Sequence, residues 1–586
     1  MHYKNFQIAV YLPAWVALSM TKEKLAAEYD FIEKYIGLDK VYLETHRSDM
    51  DVDREKILMI KSFLEEKGVV TAGGITTTIP DHQGMEEGKQ RLFDTFCYTD
   101  PALRTKIREI AEYTASLFDE VILDDFYFTN CTCERCIREK GERDWADFRK
   151  ELMKDVSENL IVKPAKAVNP KVKMVVKYPN WRESYHFTGY LPDEQQDIFD
   201  ATYIGTETRS PAYTDQHLPE YLSYSMVRFM EHAWPEKNGG GWFDTYQCWS
   251  ADRYLEQAYL TAFAGARELM LFQWGDLIDN YFVGGMGIQL KKIDEMMEGI
   301  GKPTGLPVYI PHGVNGENHL EMRLGMLGIP VDPTPFFPKE QDTLLLTESA
   351  AADETVADQL KDFLMAGNDA VITTGFLRAA GDRIRKLGLT EAVVTDRSIP
   401  VTRYQITEDE AGFIQEQRPI IFSEIIHGNN ASWSLLNGGD GEYHTPLILR
   451  STYGKGRLYI LSIPDHQADL YRIPACVVDV LKQIVCRGGY VSGSGCSLFS
   501  YDDGSMILYR YVKDEIHPQR VRIYTDKKAA RLRDLVSGES YPAVFDEGRM
   551  REDFAAELSM SSKSKSTHYA SVVLQPGVFR KLKWET

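Results

Sequence analysis

The first 300 residues alternate short apolar runs with amphipathic stretches, and this rhythm limits the folds open to the chain. The apolar runs have the length of buried strands, and the stretches between them have helical periodicity. Eight β–α units in this length predict a closed (β/α)8 barrel, the TIM barrel. An open doubly wound sheet would more often carry a glycine-rich phosphate loop after its first strand, and none follows Leu12. The expected strands are Gln7–Leu12, Lys40–Glu44, Val69–Ile75, Glu120–Asp124, Lys173–Lys177, Ala201–Glu207, Gly241–Asp244 and Glu268–Trp274.

The rhythm changes near Gly301–Gly305, and the rest of the 586 residues is long enough for further domains. Strands and helices still alternate as far as about Cys486, for example at the strand Ala370–Thr374, which predicts a smaller flavodoxin-like α/β domain. Short alternating segments such as Gln519–Thr525 then predict a small C-terminal β-sandwich, with Ser559–Thr567 as a loop inside it. The expected domains are residues 1–303, 304–488 and 489–586.

The chain carries a formal charge of -20, which argues against nucleic-acid binding, because phosphate contacts need clustered Lys and Arg. No apolar stretch approaches the roughly 18–20 residues of a membrane span. The N-terminal segment has no long apolar run with a cleavage site, and Pro13 interrupts it, so it is typical of a first strand rather than of a signal peptide. We therefore expect a cytoplasmic protein that acts on small substrates and binds neither nucleic acid nor a membrane.

Half of the eight cysteines lie close together in the sequence, and the others are scattered. Cys131, Cys133 and Cys136 share one loop, and Cys97 precedes a helix that we expect to pack beside that loop. Four thiolates form the closed tetrahedral set that zinc takes in structural sites, with no position left for a catalytic water. The sequence therefore predicts a structural zinc ion. The alternative is a loop of reduced thiols without a metal.

Carboxylates follow several of the expected strands, at the edge where a TIM barrel places its catalytic groups. Two adjacent acids end the fourth strand, and like charges at a buried strand end repel each other, which favours a functional role. Glu207 lies at the end of the sixth strand, and its alternative role is a structural salt bridge to Arg209. For any single acid, a helix N-cap or a solvated loop is the structural alternative. The candidate catalytic residues are Asp124, Asp125, Glu207 and Asp244.

The same strand ends carry further charged and aromatic residues. Aromatic faces stack on the C–H groups of a pyranose ring, while acids and amides bind its hydroxyl groups, so this mixture is typical of a sugar site. Trp181, Trp242 and Trp274 could equally belong to the core, and His46 and Lys177 could be structural. The candidate substrate-binding residues are Glu44, His46, Arg47, Lys177, Tyr178, Trp181, Arg209, Trp242, Tyr246, Trp274 and Asp276.

The cysteine pattern and the domain order resemble those of glycoside hydrolase family 42, the β-galactosidases with a trimerisation domain. That family carries a zinc site near the end of strand four, with a lone upstream cysteine and a C-x-C-x-x-C cluster. Cys97 and the segment 131–136 repeat this pattern. The segment Phe96–Arg104 (F-C-Y-T-D-P-A-L-R) is similar to the family's sequence around its first zinc ligand. The layout matches over essentially the whole chain and the motifs over Phe96–Cys136. The resemblance implies a homo-oligomer, a dimer or trimer.

The catalytic residues of family 42 do not carry over. That family has an Asn-Glu pair ending strand four and a Glu ending strand seven, whereas here strand four ends in Asp124-Asp125 and strand seven offers Asp244. An Asp on strand four with an acid on strand six is similar to α-galactosidase and α-fucosidase type barrels, where the strand-four Asp is the nucleophile. This second resemblance implies that Asp124 or Asp125 attacks the anomeric carbon and that Glu207 protonates the leaving oxygen.

The middle domain also resembles glutamine amidotransferase-like domains, but its equivalent nucleophile turn, Ile372–Phe376, contains no cysteine. Amidotransferase chemistry needs that thiol, so the sequence excludes it. The leading interpretation is an exo-acting glycoside hydrolase for short oligosaccharides or glycosides. Two alternatives stay open: a glycoside phosphorylase or lyase, with Arg47, Lys177 and Arg209 as phosphate ligands, and a carbohydrate-binding protein without catalysis.

Overall fold

The computed structural model describes residues 2–80, 92–280, 282–406, 413–428, 431–486, 489–512, 517–546 and 568–586. The chain divides into two compact units, residues 1–298 and residues 299–586. The division into three domains at 303 and 488 stays a prediction, and the predicted loop Ser559–Thr567 lies outside the described residues. Among the described helices, none has the length and apolar character needed to cross a membrane.

Eight parallel strands of the first unit form a closed barrel, as the sequence predicts. Each strand pairs with the next one in the chain, and the eighth pairs with the first, with Gln7 opposite Glu268. All eight predicted strands are present, and their ends differ from the sequence-based bounds by three residues or fewer. The strands are β1 (Gln7–Leu12), β2 (Lys40–Arg47), β3 (Val70–Ile75), β4 (Glu120–Leu123), β5 (Lys173–Tyr178), β6 (Ala201–Gly205), β7 (Asn238–Asp244) and β8 (Glu268–Phe272). A two-residue strand, Met50–Asp51, pairs with the end of β2.

Aromatic side chains fill the interior of the barrel. Tyr11, Tyr42, Tyr203 and Trp242 are all buried there, and the ring centroids of Tyr11 and Trp242 lie 4.7 Å apart. Gly74 on β3 leaves space for this packing, because a Cβ at that position would lie 2.6 Å from the Tyr11 hydroxyl. The interior is therefore a packed core, and a ligand site has to lie at an end of the barrel.

Helices follow the strands and cover the outside of the barrel, as predicted. Residues Val156–Val162 form a π-helical segment between the α-helices Trp145–Asp155 and Lys163–Val168. Pro164 follows closely and has no N–H to continue the α-helical hydrogen bonds. The α-helices are Ala14–Ser19, Lys22–Tyr35, Arg54–Glu66, Pro101–Ala115, Glu134–Lys140, Trp145–Asp155, Lys163–Val168, Tyr185–Thr188, Pro192–Gln195, Leu222–Ala233, Ala251–Phe263, Trp274–Asp279 and Phe282–Met297, and the 3-10 turns are Leu92–Asp94 and Arg182–Ser184.

The second unit begins with an α/β layer, as the sequence predicts. Its nine-stranded sheet continues from parallel strands into a long antiparallel ribbon that the sequence analysis missed. The ribbon strands carry many charged and polar residues, which weakens their alternating pattern. In chain order the sheet strands are Leu306–Tyr309, Val331–Thr334, Thr343–Leu346, Asp369–Thr373, Val393–Ile406, Phe413–Ile426, Ser432–Gly439, His444–Tyr453 and Gly456–Leu461, and the helices are Leu320–Met326, Val356–Met365, Thr374–Lys386 and Ala475–Val485, with 3-10 turns at Glu348–Ala352 and Gln467–Arg472.

Two further sheets of the second unit enclose a common apolar core, which confirms the predicted small β-sandwich. Leu498 and Leu508 of one sheet share this core with Ile523 and Val572 of the other. One sheet contains Pro303–Thr304, Cys496–Tyr501, Ser505–Arg510, Arg531–Asp534, Ser540–Pro542 and Phe579–Glu585, and the other contains Tyr490–Val491, Gln519–Thr525, Val544–Phe545 and His568–Leu574.

Candidate active site

A cavity of about 540 Å³ lies at the carboxyl ends of the barrel strands. This is the end of a TIM barrel that carries the active site, and the volume is in the range of small-molecule sites. Eleven of the fifteen candidate catalytic and substrate-binding residues line it. They are Arg47, Asp124, Asp125, Lys177, Trp181, Glu207, Arg209, Trp242, Asp244, Tyr246 and Asp276.

One buried ammonium group joins carboxylates from two different strand ends. The Nζ atom of Lys177, at the end of β5, lies 2.8 Å from Asp125 Oδ2 and 2.8 Å from Glu207 Oε1. The two carboxylate oxygens therefore cannot be farther apart than twice that distance. Asp124 Oδ1 lies 3.6 Å from the same nitrogen, and the face of the Trp242 ring lies beneath it, with the centroid at 4.2 Å. Three carboxylates raise the pKa of Lys177, although burial opposes this, so the lysine is a permanent cation.

Glu207 has one satisfied oxygen and one unsatisfied oxygen. Its Oε1 accepts from Lys177, whereas its Oε2 is buried and has no hydrogen-bond partner. Burial raises the pKa of Glu207; Lys177 opposes this and the nearby Asp244 adds to it. A buried oxygen without a partner is costly, so such a group in a cavity wall is a candidate for direct interaction with a ligand.

Asp125 is the more accessible partner of the Lys177 bridge, with its side chain 22% exposed against 4% for Glu207. Burial raises the pKa of Asp125 to about 7, against the influence of Lys177 and with the help of Asp124 and Glu207. A carboxyl group with this pKa is present in both protonation states near neutral pH. It can therefore donate a proton and take one back, which is the requirement for a general acid and base.

The neighbouring Asp124 has a different environment. Its Oδ2 lies 2.7 Å from an Arg47 nitrogen, and its Oδ1 accepts from the backbone N–H of Asp125 at 2.8 Å. Burial acts to raise the pKa of Asp124, but Lys177 and Arg47 more than offset this, so the pKa is lowered. Arg47 in turn binds the fully buried Glu44 through its Nε at 2.9 Å. These ion pairs make Asp124 a fixed anion in the cavity wall.

A second ion pair lies near Glu207. Arg209 binds both carboxylate oxygens of Asp244, at 3.0 and 2.7 Å, which is the bidentate geometry that fixes both groups. The Arg209 guanidinium also lies over the ring of Tyr246, 5.0 Å from its centroid. Asp276 lies nearby and accepts from the Thr245 hydroxyl at 2.7 Å and from the Gln273 amide at 2.8 Å.

Aromatic and amide side chains complete the cavity wall, and the sequence analysis did not select them. Phe126 and Phe128 follow the acid pair of β4, and Asn180 and Gln273 follow β5 and β8, so their positions at strand ends were the available signal. Trp15 lies in the helix Ala14–Ser19 just after β1, and Gln216 lies in a connection whose geometry a sequence does not reveal. The missed lining residues are Trp15, Phe93, Phe126, Phe128, Asn180, Gln216, Phe272 and Gln273.

Four predicted substrate-binding residues do not line the cavity. Glu44 is fully buried behind Arg47, and His46 is buried against Asp51 at 2.7 Å. Tyr178 neighbours Lys177 on β5 and therefore points to the opposite face of the strand, where its hydroxyl binds Gln195. Trp274 points away from the cavity, and its Nε1 donates to Glu28 at 2.7 Å. The side chains of Tyr178 and Trp274 are therefore part of the packed shell around the barrel.

The four clustered cysteines come together beside the loop that follows β4. Their Sγ atoms all lie within 4.8 Å of one another, and the Cys97 sulfur is 3.8 Å from Cys133 and 3.7 Å from Cys136. Zinc–sulfur bonds of roughly 2.3 Å in a tetrahedron require sulfur–sulfur distances of about 3.8 Å. The residues therefore fit a four-thiolate metal site. Such an ion would fasten the loop that begins at Asp125 to the start of the helix Pro101–Ala115.

Models of known protein families match the barrel and the part of the chain that follows it. Residues 1–300 match the family model described as "Probable glycosyl hydrolase, catalytic domain", and residues 301–466 match "Uncharacterized protein SSO3021, second domain". A curated relative, "Uncharacterized protein SSO3021" from Saccharolobus solfataricus, is 26% identical over 521 residues, which is 82% of this chain and 85% of the relative.

Solved structures are similar to the chain over its whole length. A β-galactosidase from Bacillus circulans sp. alkalophilus superposes with a TM-score of 0.63 at 11% identity, over 100% of this chain and 99% of that one. The cold-adapted β-galactosidase from Rahnella sp. R3 gives 0.62 at 12% identity, over 99% of both chains. An exo-β-1,4-mannosidase from Opitutaceae bacterium strain TAV5 gives 0.52 at 12% identity, over 82% of this chain and 94% of that one. At these identities the likeness establishes the fold, and it confirms the predicted resemblance to the family 42 architecture.

Proposed function

Because the chain belongs to the family of probable glycosyl hydrolase catalytic domains, and so to the glycoside hydrolases in the broad sense, we propose that it is an exo-acting enzyme for short oligosaccharides or glycosides. We assign the chemistry to Asp125 and Glu207. The observation that carries this assignment is the Lys177 bridge, which brings one accessible carboxyl group and one carboxylate with a free oxygen to the same point of the cavity.

In this proposal Asp125 is the general acid and Glu207 is the nucleophile. Protonated Asp125 gives its proton to the glycosidic oxygen while a carboxylate oxygen of Glu207 forms a bond to the anomeric carbon and the leaving group departs. The Asp125 carboxylate then takes a proton from water, whose oxygen displaces Glu207 and releases the sugar. This assignment exchanges the two roles that the second sequence resemblance implies.

The separation of the two carboxyl groups supports a retaining mechanism, and their pKa shifts support the exchange of roles. Retaining enzymes hold their two carboxyl groups roughly 5–5.5 Å apart, and inverting enzymes roughly 6.5–9.5 Å. The shared lysine keeps the nearest oxygens of Asp125 and Glu207 within twice 2.8 Å, which favours a retaining mechanism. A pKa of about 7 suits Asp125 for proton transfer, and when Asp125 is protonated the positive charge of Lys177 favours ionised Glu207.

The other charged groups of the cavity shape and hold the site. Arg47 and Asp124 form a fixed pair beside β4, and Arg209 and Asp244 form another beside β7. Among the described residues of the cavity wall, each cation is therefore already paired with a carboxylate. This pairing disfavours the phosphorylase alternative, because phosphate would need a cation that is not bound to an acid. Zinc held by the four cysteines would act only on the position of the Asp125 loop.

The test uses a panel of α- and β-linked nitrophenyl glycosides with the wild-type protein and with Asp125→Asn, Glu207→Gln and Glu120→Gln. Glu120 is a matched control, since it is a lysine-bound acid of the same barrel at the other end of the strands. We expect Glu207→Gln to lose activity on the nitrophenyl panel, Asp125→Asn to lose it on oligosaccharides, whose leaving group must be protonated, and Glu120→Gln to keep both activities. A leaving group that needs no protonation should restore the Asp125 variant and not the Glu207 variant. Activity that survives both cavity changes would refute the assignment.

We also propose that the protein acts in the cytoplasm on imported saccharides and assembles as a homo-oligomer. Light scattering of the purified protein measures the assembly directly. Product analysis on an oligosaccharide measures the exo action, because an exo enzyme releases one end unit at a time from the start of the reaction. Random mid-chain fragments in the early products would refute exo action.

A further inference from the structure

Two large aromatic side chains are strongly exposed on the rim of the barrel beside the cavity. The side chain of Trp249 is 70% exposed and that of Tyr213 is 79% exposed. Both lie outside the wall of the cavity, but Tyr246, which is 61% exposed and close to Trp249 in the chain, is part of that wall. Exposed tryptophan is uncommon on a surface without a partner, and rings with one apolar face suit a ligand that is half apolar and half hydroxylated.

The two loops that carry these rings are joined through Ser210. The backbone N–H of Trp249 donates to the Ser210 hydroxyl at 3.0 Å, and the backbone N–H of Tyr213 donates to the Ser210 carbonyl at 3.0 Å. Ser210 directly follows Arg209, which lines the cavity. The exposed rings are therefore held beside the cavity wall by hydrogen bonds between the loops after β6 and β7.

A buried amide fixes the same loops from below. Gln257, on the helix Ala251–Phe263, accepts from the backbone N–H of Arg209 at 3.2 Å and donates to the carbonyl of Asp244 at 2.9 Å. Arg209 and Gln247 also have positive φ angles, 59° and 52°, which non-glycine residues rarely adopt. Backbone strain that is held in place by surrounding hydrogen bonds is concentrated at ligand sites.

We propose that Tyr213 and Trp249 form a stacking platform for the sugar units on the leaving-group side of the substrate. This inference rests on the proposed function and deepens it, because it makes an oligosaccharide, rather than a glycoside of a single sugar, the preferred substrate. The platform continues the aromatic wall of the cavity through Tyr246. Polar groups surround it, among them Asp215 and Gln247, whose side chains lie 3.5 Å apart, and they can bind the hydroxyl groups of a stacked pyranose.

The test compares substrates of different length. The glycosides that the wild-type protein accepts are first identified with single-sugar nitrophenyl substrates, and oligosaccharides of increasing length with the same terminal sugar are then used. Trp249→Ala and Tyr213→Ala should lower kcat/KM for the longer oligosaccharides by about tenfold, and should change it by less than about twofold for the single-sugar substrate. Trp433→Ala is the matched control, since Trp433 is an exposed tryptophan, 40% accessible, of the second unit.

The outcomes separate the platform from the proposed function. Equal losses on short and long substrates would overturn the platform, and so would a change of assembly state in Trp249→Ala measured by light scattering, which would make this surface a contact between copies. If no glycoside is cleaved at all, the proposed function fails, and calorimetric titration with β-1,4-linked gluco-, manno- and galacto-oligosaccharides decides the platform alone. Weaker binding by Trp249→Ala than by wild type would support it, and equal or absent binding by both would overturn it.

Discussion

The barrel holds a lysine among carboxylates at each of its two ends. At the cavity end, Lys177 lies 2.8 Å from both Asp125 and Glu207. At the opposite end, Lys40 lies 3.1 Å from Glu120 and 2.9 Å from Glu268. In both places one ammonium group from a β-strand joins acids that lie on, or just after, other strands of the barrel. The ion-pair distances alone do not distinguish the Lys177 cluster from the Lys40 cluster.

The two clusters differ in how fully their carboxylates are satisfied. Glu120 and Glu268 each also accept a hydrogen bond from a tyrosine hydroxyl, Tyr42 and Tyr203 respectively. Burial acts to raise the pKa of Glu120, but Lys40 and Lys173 offset it, and the pKa is lowered. At the other end Glu207 keeps an oxygen without a partner, and the pKa of Asp125 is raised to about 7. In the Lys40 cluster both acids are fully bound, whereas in the Lys177 cluster a carboxylate oxygen and a titrating acid remain available for catalysis.

The largest difference should appear when one acid is replaced in each cluster. Asp125→Asn and Glu207→Gln should lower kcat/KM for oligosaccharides by about 10³-fold or more, because each removes a reacting group. They should change the free energy of unfolding by less than about 1 kcal/mol, because Lys177 keeps two other carboxylates and burial already disfavours the charged form of both acids. Glu268→Gln should do the reverse, with activity retained and a loss of about 3 kcal/mol, because it leaves Lys40 without one of its two acids. Steady-state kinetics and urea unfolding measure both. A fully active, destabilised Glu207→Gln would remove the distinction.

Replacement of the lysines should give a smaller contrast. Lys177→Met leaves Asp125, Glu207 and Asp124 without their shared cation, so Glu207 becomes harder to ionise and kcat should fall by about 10²-fold. Lys40→Met should leave kcat unchanged and cost about 3–5 kcal/mol of stability, since Glu268 loses its ammonium partner and Glu120 loses one of its two. The pH dependence of kcat serves as the readout specific to chemistry. If Lys177→Met lost stability with no change in that profile, the role of Lys177 would be structural only.

Asp125 and Glu120 should contribute to the pH dependence of the free energy of unfolding with opposite signs. The folded-state pKa of Asp125 is about 7, above its ordinary value of 3.8. Between these values the folded protein binds more protons than the unfolded chain, so Asp125 lowers the free energy of unfolding as pH rises through this window. Glu120 has a lowered pKa, so its contribution is present above its unfolded pKa and is lost as pH falls below it.

Activity should follow the same group. Because protonated Asp125 is the proton donor, kcat/KM should fall about tenfold per pH unit above 7. The residual activity of Asp125→Asn should lack this limb, and wild type should lose it for a substrate whose leaving group needs no protonation, whereas Glu120→Gln should leave it in place. An alkaline limb that is unchanged in Asp125→Asn would assign it to another group.

These contrasts show what the sequence contained and what it lacked. The apolar runs define all eight barrel strands, because a parallel strand buried on both faces leaves an uninterrupted hydrophobic segment. The acids at strand ends, Asp125 and Glu207 among them, could be found for the same reason. The direction of a side chain at a strand end could not, since one residue of shift reverses it, and this separated Lys177 from Tyr178. Nor does a sequence reveal which carboxylate oxygen is left without a partner.

Removal of a metal should give the smallest effect and should act on one end of the barrel only. Cys136→Ser breaks the four-thiolate set that fastens the loop after β4, so amide hydrogen exchange of residues 125–136 should become faster while that of Lys40 and its strand neighbours stays unchanged. We expect one zinc per chain in wild type by elemental analysis, none in Cys136→Ser, and a fall in kcat/KM of less than about tenfold. Cys476→Ser, at an exposed cysteine outside the cluster, is the control. Equal loop protection in both variants would show that the cysteines do not hold the cavity end, and the difference between the two lysine clusters would then rest on Asp125 and Glu207 alone.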